Sequence, residues 1–125
     1  MAAPSAVPPA SDLLRIDVVA HGPAVQVHAA GEIDSSTAPV LEHRLDDVIA
    51  GTPDRLVIDL RGVTFLDSAG LRVLATAHKS ARRRDVDLRV LVSARAVMRP
   101  LQITGLAQLL GVEEVAPAAE DAGVA

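Results

Sequence analysis

The stretch Leu56–Leu71, LVIDLRGVTFLDSAGL, decides the fold of this 125-residue chain. It begins with a nearly continuous apolar segment, Leu56–Leu60, which predicts a strand that is central in a sheet or covered on both faces. Arg61-Gly62 predicts a turn. The polar pair Asp67-Ser68 follows, and apolar residues at helical spacing begin at Leu71. The sequence therefore predicts a strand that feeds a helix, with Ser68 at the junction.

Ser68 has two interpretations, because it lies where a helix is expected to begin. As a plain N-cap it would stabilise the helix by about 1 kcal/mol. As a phosphoacceptor it would use the free N–H groups and positive dipole of a helix N-terminus, which favour an anion. The amides of Gly70 and Leu71 would receive the phosphate, and Asp67 would add like-charge repulsion. Phosphorylation would then change binding more than folding.

Composition excludes several classes of function. Half of the residues are apolar but only 1 % are aromatic, so the core must be aliphatic. A net charge of −4 and the lack of aromatic stacking platforms argue against nucleic-acid binding. The absence of cysteine excludes disulfides, thiolate metal sites and cysteine nucleophiles. With no membrane-spanning run and no signal-peptide pattern, we predict a cytoplasmic protein that does not bind membranes.

The two ends of the chain differ from the middle. Residues 1–11 are rich in Ala, Pro and Ser, and residues 116–125 have a similar composition, so both are predicted to be disordered tails. Residues 12–115 are predicted to form a single domain without internal repeats.

Upstream of the central strand, the sequence predicts a hairpin and a helix. Alternation over Leu14–Ala20 and Val25–Ala29 predicts two antiparallel strands joined by a turn at His21–Pro23. The capping residues Ser35–Thr37 then predict a helix that ends near Ala50.

Downstream, the sequence predicts two more helices and two more strands. The helix after Ser68 is expected to bury the face that carries Leu71, Leu74, Ala75 and His78. A strand follows at Leu88–Val92.

Ser93 is expected to cap a third helix, in which Pro100 predicts a kink or an early stop. Val112–Val115 predicts a short last strand. The order β-β-α-β-α-β-α-(β) predicts an α/β fold with a mixed four- to five-stranded sheet. Its third and fourth strands are parallel, and its helices pack mainly on one face.

The sequence offers no arrangement that carries catalysis or holds a metal. A nucleophile elbow at Ser68 requires glycine two residues earlier, where the chain has Leu66. The chain has four histidines, His21, His28, His43 and His78. They lack metal-ligand spacing, and we expect those on the polar strand and helix faces, at positions 28 and 43, to be solvated. No phosphate-binding glycine pattern occurs either, so we predict no enzyme activity, metal or cofactor.

Asp34 and Asp67 each follow a predicted strand and precede a predicted helix. Capping and turn chemistry alone would explain both positions. Alternatively, both border one surface around Ser68, because loops at the carboxyl ends of strands in α/β sheets converge.

Three segments of the chain resemble STAS domains of the bacterial anti-sigma factor antagonist type. They are GEID at Gly31–Asp34, LVIDLRGVTFLDSAGLRVL at Leu56–Leu74 and SARAVMRPLQITGL at Ser93–Leu106. The similarity covers about Leu14–Val115, and the D-S-x-G segment is its most specific part.

The resemblance implies a partner-switching regulator without catalysis of its own. In such families the unphosphorylated antagonist binds an anti-sigma factor that is also a serine kinase, which frees a sigma factor. The kinase then phosphorylates the antagonist with ATP and releases it, and a serine phosphatase can reset it. Ser68 matches the acceptor, Asp34 matches the acidic position of the G-E-[LI]-D segment, and Asp67 and Gly70 match the acceptor motif. The resemblance therefore implies a partner-binding surface made of Asp34, Asp67, Ser68, Ala69 and Gly70. Ala69 departs from the many members that carry a second Ser or Thr there.

Two other functions remain open. A STAS module of a stressosome-type scaffold or a lipid-transport complex would dock constitutively and use Ser68 only as a helix cap. A small enzyme, either a serine hydrolase or a phosphotransferase, would need a base beside Ser68, and the sequence offers no convincing one.

Overall fold

Within residues 13–117 the sheet has five strands, whose order in space is their order along the chain. They are β1 (Leu14–His21), β2 (Ala24–Ile33), β3 (Arg55–Leu66), β4 (Asp87–Val92) and β5 (Val112–Glu114). As predicted, β1 and β2 form an antiparallel hairpin and β3 is central and parallel to β4. This computed structural model describes residues 13–117, so the tail predicted at 1–11 and most of that at 116–125 lie outside the described residues.

In this described part of the chain, four helices connect the strands. They are α1 (Ala38–Ala50), α2 (Ser68–Arg83), α3 (Arg95–Ile103) and α4 (Leu106–Leu110). The sequence predicts the first three but not α4, which has five residues and lies between Gly105 and Gly111, both with positive φ. So short a helix has too few turns to show a period.

The helices pack mainly on one face of the sheet, as predicted. Leu56, Ile58 and Leu60 of β3 alternate with less apolar neighbours and are fully buried. Because successive side chains of a strand point to opposite faces, these leucine and isoleucine side chains define the helix-covered face. The residues of the core within the described chain are all aliphatic, as the composition predicts.

β3 does not turn at Arg61-Gly62, so that part of the sequence prediction is wrong. The strand continues to Leu66, and two register shifts against β2 each place one extra residue in β3. A Cβ at position 62 would lie 2.9 Å from the Cβ of Ala30. The glycine therefore permits close approach of two strands at a bulge and does not make a turn.

α2 and α3 also differ from their predicted forms. The buried face of α2 consists of Gly70, Val73, Leu74, Ala77 and Ala81. It is rotated from the predicted face and shares only one residue with it.

α3 begins after Ala94 and not at a Ser93 cap, and it runs past Pro100 to Ile103. Complete burial of Val97 and Leu101 offsets the hydrogen bond that proline cannot donate.

No helix in the described part of the chain is long and apolar enough to cross a membrane.

Candidate functional site

The loops that carry Asp34 and Asp67 lie side by side at one edge of the sheet. Ile33 and Leu66, the last residues of β2 and β3, are register partners. The N–H of Asp67 donates to the carbonyl of Ile33 at 3.1 Å. The structure thus brings the two acidic segments together at the carboxyl ends of neighbouring parallel strands, and Ser68 follows at once.

Ser68 is the first residue of α2 and is exposed. The N-cap is Asp67, whose carboxylate accepts the N–H of Ala69 at 2.8 Å and that of Gly70 at 3.3 Å. The interpretation of Ser68 as the helix cap is therefore wrong. Across residues 13–117 the Ser68 hydroxyl has no hydrogen-bond partner, so the helix does not depend on it.

The amides expected to receive a phosphate are already occupied. Gly70 donates to the Asp67 side chain, and the N–H of Leu71 donates to the Asp67 carbonyl at 3.0 Å. A phosphate on Ser68 would either displace the Asp67 carboxylate or project outward beside it. In both arrangements the phosphate adds negative charge next to an existing carboxylate. The surface would then be much more negative with Ser68 phosphorylated than with its hydroxyl free.

Gly70 and Ala69 have packing roles at this helix start. Gly70 is buried, and a Cβ there would lie 2.8 Å from Cγ2 of Ile33 and would also collide with Leu66. Glycine therefore lets α2 approach the ends of β2 and β3. Ala69 is partly buried and packs against the core.

Asp34 organises the loop between β2 and α1. Its carboxylate accepts the Ser36 hydroxyl at 2.7 Å, the Ser36 N–H at 2.9 Å and the Thr37 N–H at 3.1 Å. These hydrogen bonds, led by those from Ser36, lower the pKa of Asp34 below its ordinary value. Asp34 is therefore a fixed negative charge at this edge at neutral pH.

Thr37 holds this loop from inside the protein. It is fully buried, and its hydroxyl donates to the carbonyl of Glu32 and accepts the N–H of Asp34, both at 2.9 Å. The sequence marks Thr37 as a capping residue, but its side chain caps no helix. It connects the end of β2 to the start of α1.

Phe65 is a surface residue that sequence reasoning gave no role. It is the single aromatic residue of the chain, it precedes the Asp67-Ser68 pair by two residues, and its side chain is 47 % exposed. Exposed aromatic residues often provide the central contacts of protein interfaces. Strand alternation could not reveal this exposure from the sequence, because Phe65 lies beyond the two register shifts that interrupt the period of β3.

A second polar cluster lies on the sheet face that the helices leave open. Asp59 is 4 % exposed and forms a bidentate pair with Arg61, at 2.8 and 2.9 Å. His28 contacts Asp59 at 2.9 Å and Gln26 at 3.0 Å. The expectation of a merely solvated His28 is therefore wrong, because it joins β2 to β3 through Asp59.

The Asp59 cluster predicts a loss of stability in acid. Burial by itself would raise the pKa of Asp59, but the hydrogen bonds from Arg61 and the charges of Arg61 and His28 outweigh it and lower the pKa. The unfolded chain therefore binds the proton more readily, so stability is present above about pH 4 and is lost as pH falls through the folded pKa.

Urea unfolding across this pH range tests the prediction. Asp59→Asn should reduce the acid-dependent slope, whereas Asp46→Asn, at an exposed position of α1, should keep it. An unchanged slope in Asp59→Asn would assign the acid sensitivity to other carboxylates.

Metal chemistry has no support in the described residues, since no group of three or more His, Cys, Asp or Glu side chains is placed to hold an ion. No histidine or carboxylate in residues 13–117 hydrogen-bonds the Ser68 hydroxyl either.

Comparison with known proteins places these features in a family. Residues 15–122 match the STAS domain. The anti-sigma-F factor antagonist RsfA of Mycobacterium tuberculosis is 34 % identical over 106 residues, which cover 83 % of each chain. RsfB of the same organism, also named an anti-sigma-F factor antagonist, is 35 % identical over 97 residues, covering 78 % of this chain and 79 % of RsfB.

Solved structures give the same result. An anti-sigma factor antagonist from Mycobacterium paratuberculosis superposes with a TM-score of 0.77 at 35 % identity, over 92 % of this chain and 95 % of that one. The unphosphorylated form of the antagonist SpoIIAA has the same fold, with a TM-score of 0.70 at 14 % identity, over 86 % of this chain and 92 % of that one. The chain thus belongs to the STAS domain family, and its similar relatives are named anti-sigma factor antagonists.

Proposed function

We propose that this protein is an anti-sigma factor antagonist controlled by phosphorylation of Ser68. The unphosphorylated form binds an anti-sigma factor with serine kinase activity in the cytoplasm, and a sigma factor is released. The kinase transfers a phosphoryl group from ATP to Ser68 and binding ends, and a serine phosphatase restores the first state. The protein itself is a binding protein that needs no cofactor and contacts neither nucleic acid nor membrane.

The exposed, unbonded hydroxyl of Ser68 carries this proposal. Because Asp67 caps α2, the Ser68 oxygen can be modified without loss of a structural hydrogen bond. The names of the relatives support the antagonist role, and the geometry of Ser68 supports the switch.

The partner surface we propose is built around the same edge of the sheet. It comprises Asp34, Asp67, Ser68 and the partly buried Ala69, whereas Gly70, which the resemblance also places at the partner-binding positions, is buried beneath them. The carboxylates present negative charge to the partner, and Gly70 supports the surface from below by letting α2 approach the ends of β2 and β3. Phe65 lies near the end of β3 and adds an exposed apolar contact.

In the transfer step, this chain supplies only the nucleophile. The Ser68 oxygen forms a bond to the γ-phosphorus of ATP while the bond to the bridging oxygen of ADP breaks. A base on the kinase takes the hydroxyl proton, since no histidine or carboxylate in residues 13–117 hydrogen-bonds the Ser68 hydroxyl. This division of labour agrees with a protein that is a substrate and not an enzyme.

The test is phosphate transfer in a purified mixture with the cognate kinase and ATP. Wild type should gain one phosphate, located at Ser68 by peptide mapping, and Ser68→Ala should gain none while still binding the kinase. Ser35→Ala is the matched control, because Asp34-Ser35 repeats the dipeptide Asp67-Ser68 at an exposed position. It should be phosphorylated like wild type.

Phosphate on Ser35 or Ser36 would contradict the assignment of Ser68. Stable binding of all variants without phosphate transfer would instead favour a constitutive docking module of a scaffold or a lipid-transport complex. That alternative has less support. It explains Ser68 as the helix cap, but Asp67 is the residue that caps α2.

A further inference from the structure

Among residues 13–117, β1 forms one edge of the sheet and has a hydrogen-bonded neighbour, β2, on one side only. An edge strand presents unpaired backbone N–H and C=O groups that another strand can join, and proteins usually protect such edges. β1 is eight residues long and pairs in continuous register with β2, without a bulge or proline. The opposite edge, β5, has only three residues.

The side chains of β1 are also suited to a partner strand. Val18 and Val19 are 37 % and 39 % exposed. Arg15 and Asp17 are exposed, opposite in charge and on the same face of the strand, and neither forms an ion pair or side-chain hydrogen bond within residues 13–117. These two charges are two positions apart, which is the spacing needed for reciprocal pairing between two identical antiparallel strands.

Symmetry decides the register of such a pairing. When a two-fold axis normal to the sheet relates two antiparallel copies of β1, facing residues point to the same side and the axis passes through one residue. An axis through Arg15 or Asp17 places like charges opposite each other, which is destabilising. An axis through Ile16 places Arg15 of each copy opposite Asp17 of the other.

The same register also pairs the apolar residues. Ile16 faces its own copy on the axis, and Leu14 faces Val18 on the helix-covered side of the sheet. Exposed apolar surface on Val18 is covered, and both charges gain opposite partners in one arrangement.

We propose that two copies of this chain associate through β1, antiparallel about an axis through Ile16, so that the two sheets become one. The surface around Ser68 follows the carboxyl ends of β2 and β3, whereas the axis residue Ile16 pairs with Ala29, four residues before the end of β2. Because the axis reverses strand direction, the two Ser68 residues are presented at opposite ends of the dimer. The association does not depend on the state of Ser68.

The first experiment is sedimentation equilibrium of the full chain over a range of concentrations. Wild type should show a monomer–dimer equilibrium. Arg15→Asp and Asp17→Arg should each weaken it by about tenfold or more, because facing positions then carry like charges. The double variant Arg15→Asp/Asp17→Arg should restore it, and an equal mixture of the two single variants should form a mixed dimer.

The second experiment fixes the register. The chain has no cysteine, so Ile16→Cys introduces a single thiol at the axis, where facing Cα atoms lie about 4.5–5.5 Å apart, within disulfide range. Mild oxidation should cross-link Ile16→Cys and leave Asp17→Cys monomeric on a denaturing gel. Thermal unfolding of the Arg15 and Asp17 variants should match wild type, since these two positions are exposed. Ile16→Cys replaces a partly buried residue that packs against the core, so its cross-linking is measured at a temperature at which it is folded.

Three results would overturn the proposal. These are a monomer at all concentrations, a dimer that is insensitive to both charge reversals, and a cross-link at position 17 in place of position 16.

Discussion

Ser68→Asp is expected to weaken binding to the proposed partner, an anti-sigma factor with serine kinase activity, by about 100-fold, equivalent to about 2.7 kcal/mol. In the proposed complex the surface of the kinase is complementary to the neutral hydroxyl of Ser68. A carboxylate at position 68 would lose its water there without gaining a partner cation. Asp67 is the preceding residue and is itself bonded to two amides, so it adds repulsion. Titration calorimetry or surface-based binding measures the loss directly.

The same substitution should not weaken the fold, and this separates the switch from simple unfolding. Position 68 is in the first turn of α2, where a negative charge interacts favourably with the helix dipole. The free energy of unfolding of Ser68→Asp should therefore equal or slightly exceed that of wild type.

Thr76→Asp is the matched control, because it adds the same charge at an exposed position farther along the same helix. It should bind like wild type. Wild-type affinity in Ser68→Asp would contradict an electrostatic switch at this position.

The sequence predicted the parts of the fold that depend on periodicity. Alternation identified the hairpin and β4, and capping residues with Gly51 identified both ends of α1. The failures occur where tertiary contacts override a local signal. Gly62 has the local signal of a turn, but in the structure it allows close approach of Ala30 on the neighbouring strand. Pro100 has the local signal of a helix end, but burial of Val97 and Leu101 keeps the helix going past it.

The site shows the same division. The sequence predicted that a strand, Asp67, Ser68 and a helix follow one another. It also offered, as one of two interpretations, that the Asp34 loop lies beside Ser68, because loops at the carboxyl ends of strands in α/β sheets converge. Which oxygen caps α2 was not readable, since Asp and Ser are equally good caps and only the backbone of Asp67 decides between them. The Asp59–His28 contact joins residues 31 apart, and no local pattern reports it.

Thr37→Val is expected to lower the free energy of unfolding by about 2–4 kcal/mol. Valine has nearly the same shape, so the change keeps the packing and replaces the hydroxyl with a methyl group that cannot form hydrogen bonds. That hydroxyl bonds the Glu32 carbonyl and the Asp34 N–H at a fully buried position. Each buried polar group left without a partner costs about 1–3 kcal/mol. Urea unfolding measures the loss.

Thr64→Val is the matched control for Thr37→Val, because the Thr64 hydroxyl also donates to a backbone carbonyl, that of Gly31 at 3.3 Å, but at an exposed position. Water replaces that bond in the variant, so stability should change by less than about 1 kcal/mol. A loss in Thr37→Val no larger than in Thr64→Val would show that the loop relaxes to hydrate both backbone groups.

Since the Asp34 N–H is one of these groups, Thr37→Val should also reduce kinase binding more than its stability loss alone explains. The Asp34 loop then depends on a residue that no partner touches.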